Sequence, residues 1–100
     1  MATGDAVVVL SSVASGTVVT YQPAPGVEVC VTQLISGLVG SATSQTFGVT
    51  DGTISAILYY GGNDKHIEVK CFITNAKYLY MTQNSGSVAI MGFSGVQTKG

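Results

Sequence analysis

The stretch VEVCVTQ, residues 27–33, constrains the fold more than any other feature of this chain. Val27, Val29 and Val31 recur at every second position, and Glu28, Cys30 and Thr32 fill the gaps. Side chains two apart share a face of an extended strand, so this spacing describes a strand with one apolar face. The same period, rich in β-branched residues, runs through most of the sequence. It predicts strands over residues 6–11, 17–22, 27–35, 43–49, 54–60, 65–73, 77–83 and 87–93.

Turn chemistry separates these segments. Ser15-Gly16 breaks the first from the second, and Pro23-Ala24-Pro25-Gly26 breaks the second from the third. Proline fixes φ and glycine accepts a positive one, which is what a tight turn needs. Ser36-Gly37 and Gly40-Ser41 bracket a loop. Thr50-Asp51-Gly52-Thr53, Gly61-Gly62-Asn63-Asp64, Asn75-Ala76 and Asn84-Ser85-Gly86 supply the remaining turns. Residues 31–39 have some helical spacing, but Gly37 and Gly40 weaken it. Eight short strands at about ten-residue spacing predict an all-β fold, an antiparallel two-sheet sandwich of jelly-roll type. The 100 residues make one domain. Residues 1–5 and 95–100 are expected to be flexible ends, and the polar tail SGVQTKG to fray.

Composition adds a question about the surface. Charged residues make up 9% of the chain, against roughly 25% in ordinary globular proteins. The four basic residues are all lysines, and tryptophan is absent. A small domain exposes much of its surface, and charges normally keep that surface soluble and unattached. Either Ser and Thr cover this exterior, or part of it is buried against other copies or another protein. Four lysines and a net charge of −1 make a poor phosphate-neutralising surface, so nucleic acid is not expected as a partner. No secretory signal or polybasic lipid-binding cluster is evident, and no apolar run approaches the roughly 18 residues of a membrane span. Membrane attachment is not expected, and synthesis in a cytoplasm is.

Ionisable chemistry concentrates in YYGGNDKHIEVK, residues 59–70. It holds His66, the single histidine, with Asp64, Lys65, Glu68 and Lys70. Asp64, His66 and Glu68 have the i, i+2 spacing of a strand-borne metal site. A turn followed by a wet strand produces the same residues. His66, Glu68 and Lys70 alternate with Ile67, Val69 and Cys71, so the polar set faces water and the apolar set the core. Charges on a strand surface also discourage wrong pairing. The turn is the expected reading, with no metal and no cofactor.

Nucleophilic catalysis has no better footing. The chain has ten serines, but no G-x-S-x-G elbow and no phosphate-cradling glycine loop. No two carboxylates are paired by spacing. A non-enzymatic protein is expected. Cys30 and Cys71 fit no metal-ligand spacing and fall on opposite strand phases, so both are expected as free thiols.

Aromatic and apolar surface residues offer the remaining candidates. Tyr78 and Tyr80 share one strand face, while Tyr59 and Tyr60 precede the charged turn. Tyrosines on a sheet can contact a protein or stack on a sugar ring, or pack against each other across strands. The segment Val7, Val8, Val9 and Leu10 is apolar on both strand faces and is the first candidate for an inter-subunit contact.

Three stretches read together resemble a family: SSVASGTVVTYQPAPGVEVCVTQL, VTDGT and FITNAKYLYMTQNSGSVAIMGFSGVQTKG. Their order is a Pro-Gly turn before a V-E-V strand, a DGT turn, an ITN-x-x-YL strand and a GVQTK ending. Across most of residues 11–99 this resembles small virion proteins of tailed bacteriophages, in particular head-decoration or cement-like proteins. The shared features are turns and strands, and no catalytic residue carries over. The resemblance implies a β-sandwich, often trimeric, that sits on the capsid surface, binds the major capsid protein or another virion protein, and strengthens junctions between capsomers. Cys30, where relatives would carry a bulky aromatic, and the Asp64-Lys65 turn depart from the pattern. A receptor- or glycan-binding module of a tail fibre or spike is the alternative, with Tyr59, Tyr60, Tyr78 and Tyr80 as its contacts.

Overall fold

The computed structural model describes residues 3–38, 45–61, 65–84 and 88–100. Eight strands follow one another: β1 (Ala6–Val13), β2 (Val18–Tyr21), β3 (Glu28–Leu38), β4 (Gln45–Thr50), β5 (Ser55–Gly61), β6 (Lys65–Thr74), β7 (Tyr78–Gln83) and β8 (Ala89–Lys99). They form two four-stranded antiparallel sheets, ordered β1-β8-β3-β6 and β2-β7-β4-β5. Pairs β1·β8, β2·β7, β3·β6 and β4·β5 nest like the rungs of one long hairpin. Wrapping that hairpin brings β8 beside β3 and β7 beside β4. This order is a jelly roll.

Chain corners hold the two sheets together. Between β1 and β2 the backbone N–H of Gly16 donates to the Gln83 carbonyl (2.8 Å), and the buried Gln83 amide donates to the Val13 carbonyl (2.8 Å). Between β2 and β3 the N–H of Val27 donates to the Ala24 carbonyl (3.0 Å) and Gly26 takes a φ of 83°. Pro25 then Gly26 at the centre of a turn is the type II arrangement, which requires the positive φ. The Asn75 side chain donates to the Pro23 carbonyl (3.0 Å), and Gln22 donates to the Asn75 carbonyl (2.8 Å). The β2–β3 and β6–β7 connections are thereby stitched into one corner.

The core lies between the sheets. Val7, Val13, Val29, Val31, Leu34, Ile73, Ala89, Met91 and Phe93 point in from the first sheet, and Phe47, Leu79 and Met81 from the second. Tyr21 meets Phe93 edge-on, with ring centroids 5.0 Å apart, and so ties β2 to the opposite sheet. At the Val13 end the interior turns polar: the Ser36 hydroxyl donates to Gln45 Oε1, both buried.

All eight strands appear where the alternation predicts them, but three features differ. The register of β3 shifts between Val31 and Gln33 against both β6 and β8. This irregularity at Thr32 reverses the phase, so Leu34 and Ser36 are buried where unbroken alternation would bury Gln33 and Ile35. A second shift, between Phe47 and Gly48, sets Tyr59 opposite Phe47 and Ile57 opposite Gly48. Ile57 therefore faces out although Tyr59 faces in. The third difference is the length of the last strand, expected over 87–93. β8 runs to Lys99, with Val29 opposite Gln97 and Glu28 opposite Lys99. Gln97 is buried, its backbone carbonyl accepts from Gly4 N–H (2.7 Å), and its own N–H donates to Asp5 (3.0 Å). The polar SGVQTK segment reads as a tail because its inward positions hold glycine and glutamine rather than aliphatic residues. The loop at 40–41 and the turns at 62–64 and 85–86 lie outside the described residues.

Candidate interaction surface

The outer face of the first sheet is an apolar surface. Register sets Ala6 beside Val96, Val96 beside Cys30, and Cys30 beside Phe72, in one row across all four strands. Directly opposed residues of an antiparallel pair share a face. A second row sets Val8 beside Ser94, Gln33 and Glu68, and a third sets Leu10 beside Gly92 and Ile35. Val8 is 64% exposed, Leu10 61% and Phe72 50%. Cys30 points outward yet is buried, because Val96 and Phe72 flank it on both sides.

The four residues of the first candidate segment therefore divide. Val7 sits in the core and Val9 packs half-buried against it. Val8 and Leu10 are the two that reach solvent. The four tyrosines divide as well. Tyr59 faces in and packs on Phe47, centroids 6.3 Å apart. Tyr60, Tyr78 and Tyr80 stand on the outer face of the second sheet, opposite Thr46, Thr50 and Gly48 respectively. Tyr60 is exposed and the other two are half-buried, and Val18 and Ile57 are exposed on the same face. Phe72, Val96, Val18 and Ile57 were not singled out in the sequence. Their signal there is an apolar residue at an outward position, which a single strand pattern does not distinguish from a core residue until its register is known.

The ionisable groups do other work. Asp51 accepts hydrogen bonds from the backbone N–H groups of Ile54 (2.7 Å) and Thr53 (2.8 Å), closing the β4–β5 turn. Those two bonds, and more weakly the Lys77 charge, hold its carboxyl below the usual carboxylate range. An open cleft of about 300 Å³ lies beside it, lined by Val49, Thr50, Asp51, Ile54, Ala56 and Lys77. Glu28 accepts from the Thr98 hydroxyl (2.8 Å). Glu68 and Lys70 alternate outward along β6. Asp64 and the His66 side chain lie outside the described residues. Among the described residues no three of His, Cys, Asp and Glu come together as metal ligands would. Cys30 and Cys71 are free thiols. Cys30 lies opposite Phe72, and Val31 opposite Cys71, so the two thiols leave the sheet on opposite faces. Burial first, and then the neighbouring Cys30, push the Cys71 thiol above its ordinary value.

An all-β jelly roll with a charge-poor exterior is the class that fold and surface define. No family model matches the chain, and no curated protein matches it in sequence. Solved structures share its fold. A pentameric capsid protein from metagenomic phage sequences is similar with a TM-score of 0.57 and 18% identity, over 89% of this chain and 61% of that one. The chain thus spans about three fifths of that protein's length. The core of Drosophila NLP, whose structure bears on pentamer formation and histone binding, is similar with a TM-score of 0.51 and 14% identity, over 87% of this chain and 96% of that one. At such identities the likeness is one of fold.

Proposed function

We propose that this chain is a structural, non-catalytic subunit of a phage virion that decorates an assembled capsid and stabilises it. The observation that carries this reading is the outer face of the first sheet, where Val8, Leu10, Phe72 and Val96 are exposed and the charges of Glu68 and Lys70 stand on the edge strand β6. A patch of that kind on so small a domain is suited to lie against another protein. The shared fold with a phage capsid protein and the resemblance of the turn motifs to decoration proteins support the same reading. The partner is then the major capsid protein or another virion protein, and the site of action the capsid surface. A ring of identical copies fits as well. The resemblance favours a trimer, whereas the capsid neighbour is a pentamer.

The mechanism is thermodynamic. A subunit that binds only the assembled lattice shifts the equilibrium toward the intact shell by mass action. Many identical weak contacts then add through multivalency. The test is sedimentation of purified protein with undecorated heads of the phage that encodes it. Saturable binding and a raised temperature of head disruption are expected, and both are weakened by Phe72→Ser. Heads that neither bind the protein nor gain stability overturn the proposal. Removing residues 1–10 is a poor substitute for this variant, since it also takes Val7 and Val9 from the core.

One observation favours a second reading. Tyr60, Tyr78 and Tyr80 collect on one outer face, as a sugar-stacking surface requires. A glycan-binding module of a tail fibre or spike predicts array signals lost in Tyr60→Ala and Tyr80→Ala.

A further inference from the structure

Each sheet ends in two edge strands, and an edge presents unpaired N–H and C=O groups to any strand that reaches it. Three of the four edges carry features that discourage pairing. β6 bears exposed Glu68 and Lys70, and its register slips against β3. β5 is kinked by the shift beside Phe47 and Gly48. β2 is only four residues long. β1 differs from all three. It has eight residues, none charged and none proline. It pairs with β8 from Ala6 opposite Val96 to Val13 opposite Ala89 without a shift. Among the described residues no strand covers its other side.

We infer that β1 pairs edge to edge with β1 of a second copy, antiparallel about a two-fold axis. The occupant follows from the comparison of edges. Among the described residues β1 is the one edge that is at once uncharged, longer than four residues and free of a register shift, so a second β1 is the strand that matches it along its whole length. The pleat restricts the register, since a one-residue slip would set core positions against outward ones. Setting Val9 opposite Val9 of the second copy satisfies this rule. It also places Val8 of each copy beside Leu10 of the other, so the exposed apolar side chains form two cross-strand pairs at the new seam. The two four-stranded sheets merge into one of eight. An interface of this kind is isologous and closes on itself. It holds whether or not the protein acts in a virion, and it can join two rings as readily as two single chains.

Light scattering coupled to size-exclusion chromatography, across a dilution series, tests the pairing on the full chain and on Val8→Lys and Leu10→Lys. Both positions point into solvent, so the circular dichroism spectrum should not change. The full chain is expected to carry an even number of copies. Either lysine halves that number and weakens the association about tenfold or more. A second measurement reads the register and decides the matter should a lysine variant misfold. Val8→Cys and Leu10→Cys chains, mixed in equal amounts and oxidised, form a disulfide that mass spectrometry maps between positions 8 and 10. A monomeric or odd-numbered full chain, a copy number that neither lysine changes in folded protein, or a mixture without the 8–10 bond overturns the inference.

Discussion

The ring of Tyr80 lies across Gly48. The two residues stand opposite each other on β7 and β4. Ring atoms of Tyr80 occupy the space that a side chain at Gly48 would need, and the Ala56 carbonyl closes that space from β5. This contact accounts for the half-burial of a tyrosine on an outer face. It packs along backbone rather than into the core.

Gly48→Ala should therefore destabilise the protein by about 1–3 kcal/mol, the usual cost of overpacking. The Ala56 carbonyl belongs to a paired strand and cannot move aside freely, so Tyr80→Ala in the same chain restores only part of the loss. Urea titrations of the single and double variants measure both effects.

Phe93→Ala should be more severe. Phe93 is fully buried and meets Tyr21 edge-on, linking the two sheets. Truncating a buried phenylalanine costs about 3–5 kcal/mol, against a total of about 5–15 kcal/mol for a typical domain. Thermal unfolding followed by far-ultraviolet circular dichroism should show a large fall in Tm or no folded baseline.

Acid should loosen the β4–β5 turn through Asp51. Its folded pKa lies below the ordinary 3.8, so its contribution to the folded state is present above that value. It is lost as the pH falls through the depressed folded value. Hydrogen exchange of the Thr53 and Ile54 amides should speed up over that acid range. Asp51→Asn keeps an acceptor oxygen, and should retain much of the protection while losing the pH dependence.

Alkali should act through Cys71. Its folded pKa is raised above 9.0, so its contribution is complete below pH 9 and is lost as the pH rises through the folded value. Near pH 8 the folded thiol should react slowly with a disulfide reagent, and quickly once urea unfolds the chain. Cys71→Ser should flatten the alkaline fall in stability.

Removing residues 96–100 should destabilise the whole domain rather than trim an end. Gln97 is buried, and β8 lies between β1 and β3 in the first sheet. A lowered urea midpoint for the entire transition is the expected result. An unchanged midpoint would mean that the end of β8 contributes nothing.

The eight strands were legible because period two is a local property. The valines at 27, 29 and 31 require an extended chain with one buried face whatever surrounds it. Pro25-Gly26 and Asp51-Gly52 likewise fix their turns through backbone preferences of a few adjacent residues. Cys30 and Cys71 could be placed on opposite faces by the same counting. The sandwich class followed from the number of strands and their spacing.

Which of two apolar residues faces the core was a different matter. The shifts beside Thr32 and Leu58 reverse the phase within a strand, and nothing in their neighbours' identities announces them. Leu34 is buried and Ile57 exposed because of how β3 and β5 meet strands far away in sequence. The same holds for the surface. The β1 pair Val8 and Leu10 lies far along the chain from Phe72 and Val96, and they become one face only when β8 inserts between β1 and β3. Local alternation determined the strands of this protein, because side-chain direction depends on adjacent backbone. Long-range pairing decided the register, the tail and the surface, because those depend on which strand lies alongside.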